Sequence, residues 1–246
     1  GVAGDTLNCA GYLARLCRDL PVEESYLTAL GSDHLSDRMI GFMESEGVSA
    51  ADVVRLPDRL PGLYAIEVDE AGERSFRYWR AQSAARAMLG AGGYDDSKLL
   101  SFDVLILSAI SLAILPADAR ERLIELCAKM KAAGKDVVFD SNYRPALWDS
   151  VDDARFWIER MWSVTSVALP SRDDEAALHG TEDLQALFHR IGADEIVLKD
   201  GAAGPWLLEG DSPSRGHYPV AERVVDTTSA GDAFNAGYVA GRLAGA

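Results

Sequence analysis

Asp226-Thr227-Thr228-Ser229-Ala230-Gly231-Asp232-Ala233-Phe234-Asn235-Ala236-Gly237-Tyr238 follows a short β-prone run, Arg223-Val224-Val225. Hydroxyl and small residues come next, then a helical pattern from Tyr238 to Leu243. This order predicts a strand, a tight turn and a helix. Ser229, Ala230 and Gly231 are small enough for a bound group to approach the backbone. The first turn of a helix has N–H groups with no partner one turn back, and the positive end of the dipole lies there, so it favours an anion. Asp232 places a carboxylate in that turn. An anion cradle beside a carboxylate suits phosphoryl transfer to a hydroxyl. The cradle takes the phosphoryl charge, and the carboxylate takes the hydroxyl proton. An aspartate in a first turn also serves as a cap or dipole partner, so Asp232 and Gly231 alone leave both roles open.

The chain has 246 residues, of which 48% are apolar, enough for one sizeable α/β domain, or a domain plus a small appendage, with a real core. Its formal net charge of −15 argues against a nucleic-acid partner or an anionic membrane surface. An anionic substrate needs only a local basic pocket. The 3 cysteines, Cys9, Cys17 and Cys127, show no framework spacing and predict reduced thiols in a cytoplasmic protein. No run approaches the roughly 20 apolar residues of a membrane span, and no signal peptide is visible. The chain begins at Gly1 without Met and stops in helical sequence at Ala246, so both natural termini are expected to be absent.

From the start, Gly4-Asp5-Thr6-Leu7-Asn8 opens a helix that Asp5 or Thr6 can cap. Residues 26–30 read as a strand, Gly31-Ser32-Asp33 as a turn, and Leu35 to Glu46 as a helix ended by Gly47. Residues 52–56, 63–69 and 74–80 read as strands, with Asp69-Glu70-Ala71-Gly72-Glu73 as a hairpin turn. Alternation puts Phe76, Tyr78 and Arg80 on one hairpin face, with Tyr64 on the partner strand. Such a face can cover a polar ligand, and it can equally be a solvated hairpin with aromatic pairing. Asp103 to Ser108 is a continuous apolar strand, as expected for one buried on both faces. A helix follows from Pro116 to Ala133, then a strand, Asp136 to Asp140, whose end carries Ser141-Asn142-Tyr143-Arg144-Pro145. Ligands of open α/β sheets sit at that edge of the strands. Arg144 can pair two-pronged with a carboxylate or phosphate. Val151 to Trp162 reads as a helix, residues 166–169 as a strand, and Ser171 as the cap of the next helix. Glu195 to Lys199 and Pro205 to Leu208 read as strands around the turn Asp200-Gly201-Ala202-Ala203-Gly204. The four histidines are scattered, and no metal-ligand cluster is visible.

The C-terminal string closely resembles the signature of the ribokinase-like (PfkB) sugar kinases, usually Asp-Thr-Thr-Gly/Ala-Ala-Gly-Asp. Ser229 stands where that family usually has Gly or Ala, and still offers its backbone N–H. Gly4 to Asn8 resembles the family's Gly-Gly-Asp-Thr-Leu-Asn element, with Ala3 in place of the first glycine. Pro61-Gly62-Leu63-Tyr64 and Tyr78-Trp79-Arg80 resemble the 2-keto-3-deoxygluconate kinase branch, and residues 140–145 its Asp-x-Asn-x-Arg element. These stretches stand in the family's order and span nearly the whole chain.

The resemblance implies an α/β doubly wound, mostly parallel sheet in a single kinase domain over residues 1–246, with a small β lid at about 52–80. It implies transfer of the ATP γ-phosphoryl group, with Mg2+ on the ATP phosphates, to a sugar hydroxyl, most closely that of 2-keto-3-deoxygluconate. Asp232 would be the general base, and Ser229, Ala230 and Gly231 the anion hole. Gly4, Asp5 and Asn8 would bind sugar hydroxyls, and Tyr64, Tyr78, Arg80 and Arg144 the acid end. Asn142, Ser171, Lys199, Gly201, Gly204, Ser229 and Gly231 would face ATP. The family's Asn-x-x-Glu motif fits either Ser171 to Asp174 or Arg172 to Glu175, and Asp200 takes a place often held by Arg or Leu. The partners implied are a sugar acid and ATP, in a possible homo-oligomer. A kinase for a neutral sugar such as fructose or ribose, and a sugar-binding relative without turnover, are the alternatives.

Overall fold

The computed structural model describes residues 1–68, 74–180, 183–209, 212–216 and 218–245. The chain forms two compact units, residues 1–95 with 236–246, and residues 96–235.

In the first unit, α1 (Asp5–Leu16) starts at Gly4, whose backbone is extended, and no side chain caps it. The expected cap from Asp5 or Thr6 is not made. The Thr6 hydroxyl lies 2.9 Å from the Tyr26 hydroxyl instead. β1 (Ala29–Leu30) is shorter than the predicted strand and pairs in parallel with β2 (Val54–Arg55). The Tyr94 hydroxyl bridges the two, donating to the Thr28 carbonyl at 2.9 Å and to the Asp52 carbonyl, and accepting from the Thr28 N–H at 3.0 Å. α2 (His34–Ser45) begins on Asp33, whose carboxylate accepts from the N–H groups of Leu35 and Ser36. A Cβ on Gly31 would stand 2.1 Å from the Arg59 carbonyl oxygen, so only glycine fits. Leu7, Leu30, Met43 and Val48 form the local core.

β3 (Leu63–Val68) and β4 (Arg74–Trp79) form the expected antiparallel hairpin, with Tyr64 opposite Tyr78 and Leu63 opposite Trp79. The predicted turn Asp69 to Glu73 lies outside the described residues.

The second unit carries a six-stranded sheet. β5 (Val104–Ser108), β6 (Asp136–Asp140), β7 (Val167–Ala168) and β8 (Glu195–Leu198) lie parallel in chain order. β9 (Trp206–Glu209) and β10 (Ser212–Ser214) extend it antiparallel. α3 (Asp96–Leu100) precedes β5, and the parallel crossovers run through α4 to α8: Ala109–Ile114, Ala117–Ala132, Val151–Trp162, Arg172–His179 and Leu184–Ile191. Phe139 packs edge-on against Trp162 at 4.7 Å between ring centres, and Leu112, Leu126, Ile158 and Met161 are also buried in this unit. α9 (Ala230–Ala244) closes the chain.

Two further details depart from the sequence reading. Arg223-Val224-Val225 forms no strand. Val224 and Val225 are exposed, and β-propensity without a neighbouring strand edge leaves the ladder bonds unmade. α4, unread in the sequence, ends on carbonyls taken by a side chain. The Arg120 guanidinium donates to the Leu112 and Leu115 carbonyls at 2.9 Å and to that of Ala113 at 3.1 Å. It also lies between the Trp148 and Trp157 rings, 5.1 and 5.4 Å from their centres.

Candidate active site

β6 is a buried apolar strand that ends on a charge, Asp140. Its Oδ2 accepts from the Lys199 ammonium at 2.7 Å and from the Asn235 amide at 2.6 Å. The Asn235 carbonyl oxygen accepts from Lys199 at 3.0 Å, which closes a triangle. Oδ1 of Asp140 accepts from the Asn142 N–H at 3.0 Å, and this local bond holds Asn142 at a positive φ of 22°. Lys199 follows β8, and Asn235 lies in the second turn of α9, so two strand ends and a helix start meet here.

The start of α9 is accessible. Ala230 and Gly231 are exposed, and Asp232 in the first turn is half-buried. Asp226 accepts from the Thr228 N–H at 2.8 Å, and Ser229 sits at φ 62°, in the left-handed region. A glycine-preferring conformation explains why Ser229 looked out of place in its motif. The Ala230 N–H donates to the Thr227 carbonyl at 3.1 Å, so Ala230 has its N–H in the turn, whereas it had been expected to give it to an anion. A Cβ on Gly231 would lie 3.8 Å from the Lys199 ammonium, which brings Lys199 to the start of this helix.

Ser171 and Lys199 are bridged in parallel: the Lys199 N–H donates to the Pro170 carbonyl at 2.8 Å, and the Arg172 N–H to the Lys199 carbonyl at 2.9 Å. Ser171 stands at the N-cap of α7, but its hydroxyl makes no capping bond, contrary to the sequence reading. Of the two motif registers, Asp174 faces the cluster. Arg144 donates to it at 3.3 Å. Burial raises the Asp174 pKa, and Asp140 adds to this, while Arg144 and Lys199 oppose it. Glu175 is fully buried and accepts from Arg190 at 3.2 Å.

Gly201 and Gly204 hold the following turn at φ 51° and 82°, and a Cβ on Gly204 would strike the Tyr218 ring. Asp200 accepts from Arg172 at 3.2 Å, from the Trp206 indole at 2.9 Å, and from Arg215. Burial works against its charge, but the Trp206 hydrogen bond and the two guanidinium groups hold its pKa below the usual range. The basic character that Asp200 removes from the turn is thus supplied by Arg172 and Arg215.

A family model for the pfkB family carbohydrate kinases matches residues 1–246. The chain belongs to the pfkB family of carbohydrate kinases. A 2-dehydro-3-deoxygluconokinase of Escherichia coli is 41% identical over 257 residues, covering 100% of this chain and 82% of that protein. The Haemophilus influenzae protein of the same name is 40% identical, covering 98% of this chain and 79% of its own length. Among solved structures, a PfkB protein from Polaromonas sp. JS666 superposes with a TM-score of 0.82 at 27% identity, over 99% of this chain and 79% of that one.

In this kinase of the pfkB family, the remaining predicted residues lie in the first unit. Gly4, Asp5 and Asn8 occupy the start of α1, and all three are half-buried. Tyr64 is exposed on β3, directly opposite Tyr78. Arg80 follows β4, with its Cβ 3.1 Å from where a Gly62 side chain would begin. Asp140, Asp174 and Asn235 were not among the predicted site residues. The sequence signals for Asp140 were a carboxylate ending an apolar strand and its place in the Asp-x-Asn-x-Arg element. Asp174 had one of the two registers of the Asn-x-x-Glu motif, and Asn235 carried no signal, because it meets its partners through the fold.

Proposed function

We propose that this kinase transfers the ATP γ-phosphoryl group to a hydroxyl of 2-keto-3-deoxygluconate. The observation that carries the reading is the accessible start of α9, where Asp232 follows Gly231 in the first turn and the Lys199 ammonium approaches Gly231. Asp232 accepts the proton of the attacking hydroxyl, and the helix start with Lys199 meets the phosphoryl charge. Bound to the ATP phosphates, Mg2+ offsets their charge. Lys199 and Gly231 line the helix start, and Asn142, Ser171, Gly201 and Gly204 belong to the same unit. On the family resemblance, Gly4, Asp5 and Asn8 bind sugar hydroxyls, and Tyr64, Tyr78, Arg80 and Arg144 bind the acid end. Residues 1–246 act as one kinase domain in this reading, with β3 and β4 as a lid over the sugar. The names of the E. coli and H. influenzae relatives support the acid sugar. Among the described residues no helix is long and apolar enough to cross a membrane, and Cys9, Cys17 and Cys127 are buried free thiols. We place the enzyme in the cytoplasm and propose a homo-oligomer.

One observation favours a neutral sugar instead. Arg144 already has a carboxylate partner in Asp174, so it does not require one from the substrate. Coupled ATP turnover measured over a panel of acid and neutral sugars decides between them. Preference for 2-keto-3-deoxygluconate supports the proposal, and preference for fructose or ribose overturns it.

A further inference from the structure

We infer that Asn235 is a positioning residue for phosphoryl transfer: together with Asp140 it fixes the Lys199 ammonium at the start of α9, as a permanent positive charge beside the transferred group. This rests on the kinase reading above. It adds a residue, Asn235, and a role for the whole Asp140–Lys199–Asn235 triangle.

The hydrogen bonds assign each group one task. Asp140 receives three bonds: Lys199 and Asn235 on Oδ2, Asn142 on Oδ1. A carboxylate so occupied holds its neighbours in place and is not free to serve as a second base. Asn235 uses both ends of its amide. Its NH2 donates to Asp140, and its carbonyl accepts from Lys199. Only a side chain with a donor and an acceptor fixed in one plane can bridge an anion and a cation in this way. An aspartate would repel Asp140, and an alanine would leave one hydrogen of the ammonium unbound.

Lys199 has three N–H donors, and two of them are taken by Asp140 and Asn235. The third is left for the space beside Gly231, where the missing side chain opens the helix start. Lysine is a flexible point charge on a four-carbon stem, and it loses that freedom here. Asp140 and Asn235 are 7% and 5% exposed, so little water competes for the triangle. An ion pair that only held the fold together would not need its cation directed at an exposed helix start. A charge fixed in advance costs no reorganisation when charge develops in the transition state.

The test is steady-state kinetics of the enzyme, Lys199→Met, Asn235→Ala, the double variant and Asn235→Asp, with sugar binding followed by calorimetry. Lys199→Met is expected to lower kcat by about 10² to 10³, the loss typical of removing one such stabilising group. Asn235→Ala is expected to lower kcat roughly 10- to 100-fold, with the Kd for sugar changed less than about threefold. Because Asn235 acts through Lys199, the double variant should match Lys199→Met to within about threefold. Asn235→Asp sets two carboxylates against each other, and a shared proton restores the donor. Its kcat should therefore recover toward acid pH, where the wild type shows no such limb. Losses that multiply in the double variant, or a kcat within about threefold of wild type for Asn235→Ala, overturn the inference. If Asn235→Ala does not fold, the isosteric Asn235→Asp decides: a pH profile parallel to wild type overturns it. A wild type that turns over ATP with sugar while Asn235→Ala is unaffected sinks this inference alone. A wild type with no sugar-dependent turnover sinks the kinase reading as well.

Discussion

Arg144 and Asp174 form an ion pair at 3.3 Å, joining the loop after β6 to the first turn of α7. Asp140, four residues before Arg144, is taken by Lys199 and Asn235, and the fold supplies Asp174 instead. The pair is not closed off: the Arg144 side chain remains 50% exposed, and its other donors can meet a ligand. An acid sugar would then share the guanidinium with Asp174. A hydrogen bond to a charged group contributes roughly 1.5–3 kcal/mol. Arg144→Ala should raise KM for 2-keto-3-deoxygluconate by about one to two powers of ten and change KM for fructose much less. Arg144→Lys should also be impaired, since lysine cannot serve two carboxylates in one plane. Equal losses on both sugars would remove Arg144 from acid recognition.

Asp232 lies in the first turn of α9, next in the chain to Gly231, which the Lys199 ammonium approaches. Asp232→Asn keeps the shape and removes the proton acceptor. General-base catalysis commonly contributes about 10² to 10⁴ in rate. The variant should lose kcat by that factor and still bind sugar in a calorimetric titration. A kcat above about a tenth of wild type would take the base role from Asp232.

How much of this could be read from the sequence depended on the range of the interactions. α6 runs from Val151 to Trp162 and β6 from Asp136 to Asp140, as predicted, because apolar periodicity and flanking polar residues are local signals. The small residues and carboxylate at the start of α9 were legible for the same reason. The Asp140–Asn235 bond joins positions 95 residues apart, and the Arg172–Asp200–Arg215 group assembles around a turn from three elements. Neither has a spacing that a linear pattern reveals. Val224 and Val225 failed in the opposite way: their propensity was local and clear, but no strand edge received them.

Ser229 has φ 62°, where a Cβ meets the following carbonyl, at a cost of about 1–2 kcal/mol. Ser229→Gly relieves this contact, and the greater freedom of the unfolded chain offsets part of the gain. The net expectation is about 0.5–1 kcal/mol of stabilisation, with kcat retained because the backbone N–H stays. Denaturant unfolding measures it. A destabilised variant would show that the Ser229 hydroxyl holds the turn.

Arg120 is stacked between Trp148 and Trp157 and caps the last carbonyls of α4, with its side chain 13% exposed. Arg120→Ala leaves those carbonyls and Asp153 without their cation. Breaking a buried charged contact of this kind costs about 3 kcal/mol. Tm should fall by roughly 6–12 °C, taking 2–4 °C per kcal/mol for a chain of this size. Arg120→Lys should recover only part, because an ammonium cannot reach the carbonyls from one planar fork. A Tm within about 2 °C of wild type for Arg120→Ala would show that the contacts are replaced by water.

Glu24 has both carboxylate oxygens buried without a hydrogen-bond partner, and burial pushes its pKa up to about 7 from 4.5. The charged form is thus disfavoured in the folded state, and the folded chain holds a proton that the unfolded chain releases. The sign follows from linkage: the stability that protonated Glu24 gives is fully present below about pH 4.5. It is lost as pH rises through about 7. Solvent screening keeps the effect well below the full shift, so about 1 kcal/mol is expected. Glu24→Gln removes the charge and keeps the shape. Its Tm should match wild type near pH 5 and exceed it by roughly 2–4 °C at pH 8. Melting curves of both proteins across this range measure the difference. A gap that does not widen between pH 5 and pH 8 would show that Glu24 carries its charge in the folded protein at no cost.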